Sequence, residues 1–337
     1  MSNTNFFTLE IGEKSLKIFD GQIINQQIEV KNLNYIDLPF SPLDNKNSDI
    51  SNQLSETIKK TLANLKINKK KVNLIIPDIL TYSQILSMPI LNEKELISAI
   101  KYQADQFIPL PIDEVNLDLD IIYKNEKEKN QLILIVTTSK KFVEKIEEAI
   151  QFSGLIPNFL ENQLTSFARF LDKFSLSLFK NNPSEKIAFI NLGLNSTSIY
   201  IFDKKLSVIN KIHNFNLGYG LFIKEIQINT SLDNEKINQL LLSYQINAKN
   251  PVDIESIISP FINQFIFEIK KIVLPDMELV LIGDLPRFPS LANIISKKIN
   301  SKVNFLNPYE ILKPSPQVDY YKNSLSYFVT TFGGQIE

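Results

Sequence analysis

The 337-residue sequence contains no cysteine and a single histidine, His213. The absence of cysteine excludes a disulfide framework, a thiolate nucleophile and a metal site built from cysteines. One histidine cannot form a pair of histidine ligands, and we interpret His213, flanked by Ile212 and Asn214, as a structural residue. The composition therefore predicts neither a catalytic residue nor a metal ligand.

The formal net charge of −1 gives no overall attraction to nucleic acid, so we expect no nucleic-acid partner. The basic run Lys69–Lys71 is short and predicts a solvated turn. No run approaches the roughly 18 apolar residues of a membrane span, and the N-terminal segment lacks a basic region followed by an apolar core. We expect a cytoplasmic protein without direct membrane insertion. Its length favours two or more domains.

A helix with an N-cap and a defined C-terminal end is predicted in the segment that starts at Ser87, SMPILNEKELISAIKYQADQFIPLPIDEVNLDL. Asn92 is the expected N-cap, and Glu95 completes a capping box. An apolar face follows at Leu96, Ile97, Ile100, Ala104 and Phe107. Pro109 and Pro111 stop the helix near Phe107 and lead into an extended segment with alternating apolar residues.

Two segments, FTLEIGEKSLKIF and AFINLGLNSTSIYIF, have the same order of strand, glycine turn and strand. The first predicts strands at 6–11 and 16–20 around Gly12, and the second opens a second half of the chain at residues 186–192. Glycine lets backbone N–H groups approach an anion, and turn hydroxyls add donors, so a phosphate-binding role is one interpretation. Ordinary structural hairpins are the alternative.

The passage around the capped helix resembles the PilM family, the actin-like proteins of type IV pilus assembly, in which MP, EL and IP recur. The next passage, LILIVTTSKKFVEKIEEAIQFSGLIPNFLENQLTSFARF, resembles the family's strand, long helix, GL-x-P turn and acid-led helix. The resemblance spans nearly the whole chain. It implies an α/β, bilobed actin-like fold, a duplicated ribonuclease H-like architecture with an FtsA-like α+β inserted subdomain.

Four parts follow from that resemblance. Residues 1–76 and 156–185 would form the first actin-like half, and residues 77–155 the inserted subdomain. Residues 186–220 and 274–337 would form the second half, and residues 221–273 a helical subdomain.

The resemblance also implies a cleft for ATP with Mg²⁺, which would be the only cofactor. The implied nucleotide-binding residues lie at the two turns and at two later glycines: Glu10, Gly12, Glu13, Lys14, Ser15, Asn191, Gly193, Asn195, Ser196, Thr197, Gly218, Gly283 and Asp284.

Three departures from the family pattern indicate a degenerate cleft. The family has aspartate two residues before each glycine turn, whereas this chain has Glu10 and Asn191. Asparagine carries no charge and cannot act as a general base. At the adenosine turn only Gly283 remains, and Asp284 would repel phosphate. We expect weak or absent ATP binding and no hydrolysis, although structural turns alone would also explain these positions.

The family's role implies a cytoplasmic scaffold that binds the N-terminal tail of the inner-membrane protein PilN and so lies at the membrane through its partners. The tail would occupy a groove between the inserted subdomain and the first half. The predicted groove residues are Tyr82, Ile85, Met88, Pro89, Tyr102 and Gln103. A homo-oligomer is compatible with the sequence.

Three other classes share this architecture. A sugar kinase or chaperone ATPase would retain both acids and a glycine-rich adenosine turn. An FtsA-like self-assembling protein typically ends in an amphipathic helix, whereas the tail SYFVTTFGGQIE lacks basic residues. A type II secretion component would continue into a transmembrane helix. A nucleotide-dependent actin-like ATPase or an FtsA-like protein remains the alternative function.

Overall fold

A computed structural model describes residues 5–44, 49–246, 249–283 and 288–336, apart from the side chains of Glu93, Lys101 and residues 103–107. The chain divides into two compact units. One holds the residues up to Asp172 and those from Thr330 onwards, and the other spans Lys173–Val329. Among the described residues, no helix combines the length and apolar character that crossing a membrane requires.

The first unit is built on a five-stranded sheet with the order β3-β2-β1-β4-β8. Its strands are β1 (Phe6–Ile11), β2 (Ser15–Ile24), β3 (Gln27–Asp37), β4 (Lys71–Ile76) and β8 (Ile156–Asn162). The three helices of this layer are α1 (Ile50–Asn64), α3 (Lys140–Phe152) and α4 (Gln163–Leu178). β1 pairs antiparallel with β2 and parallel with β4, so the sheet is mixed.

Alternation along β1 gives its two faces different chemistry. Phe7, Leu9 and Ile11 lie in the apolar core that contains residues of α1 and α3. Thr8 and Glu10 lie on the opposite face, where both are fully buried. A buried face with polar residues needs hydrogen-bond partners, and the C-terminal segment supplies several of them.

The segment that follows Val329 packs against this polar face. Helix α10 (Val329–Gly333) places the Phe332 ring 5.0 Å from the Phe19 ring, edge to face. Asn73 Nδ2 donates to Gly334 O at 2.8 Å, and Thr8 Oγ1 donates to Gln335 Oε1 at 3.2 Å. The last residues are therefore part of the first unit's core.

The second unit has a five-stranded sheet with the corresponding order β11-β10-β9-β12-β13. Its strands are β9 (Lys186–Leu192), β10 (Thr197–Asp203), β11 (Val208–Phe215), β12 (Glu278–Gly283) and β13 (Val303–Phe305). The helices are α5 (Tyr219–Thr230), α6 (Asn234–Ser243), α7 (Ile254–Lys270), α8 (Leu291–Ile299) and α9 (Pro316–Tyr320). Residues of α5 to α8 share one apolar core with β9, β10 and β12. The duplicated α/β fold expected from the sequence is confirmed.

A three-stranded antiparallel sheet with the order β5-β7-β6 lies within the first unit. It contains β5 (Thr81–Pro89), β6 (Val115–Asn125) and β7 (Asn130–Ser139), and α2 (Glu93–Phe107) covers one face. The predicted capping box forms: Glu95 N donates to Asn92 Oδ1 and Asn92 N to Glu95 Oε2, both at 3.0 Å. Leu96 and Ile100 pack on this sheet, whereas Ala104 and Phe107 side chains lie outside the described residues.

Helix α3 and the basic run before β4 both contact the first five-stranded sheet. Helix α3, from the segment expected to be inserted, contributes Phe142, Ile146 and Ile150 to the core of the first five-stranded sheet. In the basic run Lys69–Lys71, Lys70 and Lys71 are exposed as expected, whereas Lys69 is half-buried and its Nζ binds Asp20 Oδ1 at 2.7 Å and Phe6 O at 2.9 Å. The four-part division of the chain stays a prediction.

We predict that Gly333→Ala destabilises the protein by about 3 kcal/mol or more, because packing leaves no room for a methyl group. A Cβ at Gly333 would lie 1.9 Å from the carbonyl oxygen of Ser166. Gly154→Ala is the control, since a Cβ there meets only Lys70 Nζ at 4.0 Å and its positive φ of 73° costs about 1–2 kcal/mol. Urea unfolding followed by circular dichroism measures both. Equal losses would contradict the packing argument.

Candidate functional site

The first glycine turn closes the hairpin between β1 and β2. Gly12 N donates to Ser15 O at 2.8 Å, so the glycine amide is used within the turn. The Ser15 hydroxyl is buried and has no hydrogen-bond partner, and a Cβ on Gly12 would lie 2.5 Å from it. Glu13 is also buried, which places a carboxylate in the turn itself. Lys14, the next residue, is exposed, so the turn holds two ionisable side chains of opposite charge.

Glu10 lies two residues before the turn glycine, and three side chains of the protein donate hydrogen bonds to its carboxylate. Lys17 Nζ donates to Glu10 Oε1 at 2.9 Å, and Gln163 Nε2 donates to the same oxygen at 2.7 Å. The Thr330 hydroxyl donates to Glu10 Oε2. Glu10 is 0% and Lys17 1% exposed, so this is a buried ion pair. The sequence reasoning identified Glu10 but not its three partners.

The second glycine turn has the same backbone hydrogen bond as the first but contains no charged side chain. Gly193 N donates to Ser196 O at 2.9 Å. Asn191 pairs with Ser198 across the strands, where the first sheet pairs Glu10 with Lys17. Asn191 Nδ2 donates to Tyr200 Oη at 3.3 Å.

Gly218 and Gly283 come close to this second turn. A Cβ on Gly218 would lie 2.3 Å from Leu194 O, and a Cβ on Gly283 2.3 Å from Asn191 Oδ1. The backbone N–H groups at the start of α5 donate to the turn: Tyr219 N to Gly193 O at 3.0 Å and Gly220 N to Leu194 O at 2.8 Å. The helix terminus that could attract an anion is thus occupied by turn carbonyls.

These residues fit ATP with Mg²⁺ poorly. Mg²⁺ is bound through carboxylates, but the Glu10 carboxylate already binds an ammonium group and Asn191 has no charge. Across the described ranges, no group of three His, Asp or Glu residues could hold a metal ion. His213 Nε2 contacts Glu268 Oε2 at 2.9 Å, which agrees with a structural role. Asp284 lies outside the described residues.

Hydrogen bonds to Lys271, with a second contribution from His213, lower the pKa of Glu268. This carboxylate is therefore held in its charged form between α7 and β11.

The six predicted groove residues do not share one face. Met88 packs against α2 with Leu86, and Ile85 occupies the opposite face of β5 because side chains alternate along a strand. Pro89 ends β5 and is exposed. Tyr102 is 88% exposed on α2, and the Gln103 side chain is outside the described set.

The hydroxyl of the remaining groove residue, Tyr82, donates to Gln84 Oε1 at 3.0 Å. Burial raises the pKa of Tyr82. The phenol therefore stays neutral and serves as a donor on β5.

The inserted sheet is tied to the first sheet where β5 begins. Asn162, the last residue of β8, donates from Nδ2 to Thr81 Oγ1 at 3.0 Å and to Ser83 Oγ at 2.9 Å. Asp78 Oδ1 accepts from Leu164 N at 3.1 Å at the start of α4. The sequence reasoning missed these contacts, although an asparagine directly before a helix is a capping signal.

Next to this junction, Glu161 forms an ion pair with Arg169 and accepts from Thr165 Oγ1 at 3.1 Å. Burial raises the pKa of Glu161, and Arg169 partly opposes that effect. The Arg169 guanidinium lies 5.2 Å from the centre of the Phe159 ring. The pair braces the first turns of α4 against β8.

Comparison with known proteins agrees with this architecture. The chain is similar over 99% of its length to 99% of a chain in a PilM-PilN type IV pilus biogenesis complex, with 19% identity and a TM-score of 0.80. It is also similar to the ethanolamine utilization protein EutJ from Carboxydothermus hydrogenoformans, with 9% identity, coverage of 98% and 89% of the two chains, and a TM-score of 0.56. The family model of the type IV pilus assembly protein PilM matches residues 8–332. The chain belongs to the PilM family.

Proposed function

We propose that this chain is a cytoplasmic scaffold of the type IV pilus assembly machinery that binds the N-terminal tail of a PilN-like inner-membrane protein. The observation that carries the proposal is the match over residues 8–332 together with the similarity to a PilM-PilN complex along the whole chain. A scaffold of this kind would lie at the inner membrane through its partner.

The inserted sheet supports the binding mode. β5 is an edge strand of its sheet, paired with β7 on one side, and β8 is an edge strand of the first sheet. An extended peptide can add to such an edge through backbone hydrogen bonds, with alternate side chains entering pockets. Ile85 on β5 would offer an apolar contact beside this edge, and Tyr82 and Tyr102 would line it. The tail therefore needs an extended segment with alternating apolar residues.

Binding of the tail would not need nucleotide hydrolysis. Glu10 acts in this proposal as a structural anchor, since Lys17, Gln163 and Thr330 take up its carboxylate. Releasing it for a metal ion would break the buried ion pair with Lys17, which costs several kcal/mol. Asn191 in the second turn cannot supply the missing charge. These features favour a cleft that does not bind ATP over an active ATPase.

We predict that isothermal titration calorimetry detects binding of a synthetic peptide of the organism's own PilN-like tail and detects no binding of ATP with Mg²⁺. Ile85→Ser should weaken peptide binding by about tenfold, because one apolar side chain contributes about 1.4 kcal/mol. Ile121→Ser is the matched control, since Ile121 lies on β6 at the other edge of the same sheet and is 40% exposed.

The control variant should bind the peptide like the wild type. Failure of the wild type to bind the tail would refute the scaffold role. Tight binding of ATP that depends on Mg²⁺ and is lost in Glu10→Gln would refute the proposal that the cleft does not bind ATP. It would favour the nucleotide-dependent alternative.

We predict that Lys17→Met lowers the free energy of unfolding by about 3–5 kcal/mol, because it leaves the Glu10 carboxylate buried and uncompensated. The double variant Glu10→Gln, Lys17→Met should recover most of that loss, since glutamine can still hydrogen bond to Gln163 and Thr330. Urea unfolding at pH 7, followed by circular dichroism, compares the variants. If Lys17→Met is as stable as the wild type, the ion pair does not anchor the first sheet.

A further inference from the structure

Asn162 joins the two sheets of the first unit through both ends of one amide group. Its Nδ2 donates to Thr81 Oγ1 and Ser83 Oγ at the start of β5. Its Oδ1 accepts from Thr165 N at 3.0 Å and so caps α4. The residue is 1% exposed, and Ser83 is 8% exposed. One buried side chain thus fixes β8, α4 and β5 relative to one another.

The chemistry of asparagine suits this junction. A side-chain amide donates and accepts at the same time, and its planar geometry sets the directions of these bonds. Two further hydrogen bonds form at the junction. Asp78 Oδ1 accepts from Leu164 N, and Thr138 Oγ1 donates to Leu80 O at 3.0 Å. A set of buried polar groups gives a defined geometry that apolar packing alone would not require.

The position of this junction matters because β5 and β8 are both edge strands. Asn162 is the last residue of β8, and Thr81 is the first of β5. The Asn162 amide therefore joins the end of β8 to one face of β5 at the start of that strand. A peptide that pairs along β5 needs the strand held in one position, and these contacts hold its first residues.

We propose that Asn162 is a positioning residue for binding of the tail. It holds the start of β5 against the end of β8, so that the edge along which the peptide pairs is organised before binding. Preorganisation lowers the entropy that binding must overcome, and so increases affinity without a contact to the ligand. This inference rests on the proposed function, because it assigns Asn162 a role in binding the same tail.

The test compares Asn162→Ser with Asn158→Ser in the full chain. Serine keeps an N-cap oxygen for α4 but is too short to reach Thr81 and Ser83. Asn158 is on the same strand, and its Nδ2 donates to Asn73 Oδ1 at 2.9 Å within the first sheet, away from β5. The probe is the synthetic PilN-like tail peptide, labelled with fluorescein and followed by fluorescence anisotropy.

We expect Asn162→Ser to raise the Kd for the peptide about tenfold, because two hydrogen bonds that organise the edge are lost. Asn158→Ser should change the Kd by less than about twofold, as for an ordinary surface substitution. Hydrogen–deuterium exchange is measured without peptide and with saturating peptide. Amides of residues 81–89 should exchange faster in free Asn162→Ser than in the free wild type and regain wild-type protection in the complex, while those of α4 keep their protection. A purely structural defect in β5 would persist when the peptide is bound.

A second variant covers the case in which Asn162→Ser does not fold. Thr81→Val with Ser83→Ala removes the two acceptors and leaves the α4 cap intact, and it should raise the Kd to a similar extent. If the wild type binds the peptide and these variants bind equally well, or if exchange at residues 81–89 is unchanged, this inference is overturned and the proposed function stands. If the wild type does not bind, the proposed function fails, and this inference fails with it.

Discussion

The buried pair of Glu10 and Lys17 is the interaction on which the first unit depends. A carboxylate with no exposed surface must be neutralised and hydrogen-bonded, or burying it would cost several kcal/mol. Lys17 supplies the charge from the neighbouring strand, Gln163 a donor from α4, and Thr330 a donor from the C-terminal segment. One side chain thus fixes a hairpin, a helix start and a segment 320 residues away.

The two sheets share a backbone geometry and differ in the side chains that precede their glycine turns. Both have the same strand order, and in both turns the glycine amide donates to the carbonyl oxygen three residues on. Backbone geometry sets these features, so different side chains can preserve them. The residue two positions before the turn glycine differs between the sheets. The first sheet pairs Glu10 with Lys17, and the second pairs Asn191 with Ser198. Neither leaves a free carboxylate for a metal ion.

Edge strands are a hazard for soluble proteins and also a means of binding a partner. The inserted sheet has only three strands, so two of them, β5 and β6, are edges. β6 carries Asp118 and Asp120, charged residues of the kind that discourage pairing with another strand, whereas β5 carries Ser83 and Ile85. The hydrogen bonds of Asn162 hold the less charged edge at a defined place. This asymmetry agrees with a partner that adds to β5.

The sequence by itself determined the local elements and the family. The capping box of Asn92 and Glu95, the end of α2 at Phe107 and the strands around Gly12 and Gly193 depend on neighbouring residues, so pattern and propensity are enough to predict them. The motifs that resemble the PilM family also lie within continuous passages.

Only the tertiary structure determined which partners the polar side chains bind. Lys69 binds Asp20, a partner 49 residues away that no local pattern identifies. Glu10 meets Thr330, and Asn162 meets Ser83, across sequence separations of 320 and 79 residues. A side chain's hydrogen-bond partner depends on how strands and helices stack, and no local pattern encodes that stacking. For this reason the sequence identified the turns, while the packed structure showed that the Glu10 carboxylate beside the first turn is already paired with Lys17.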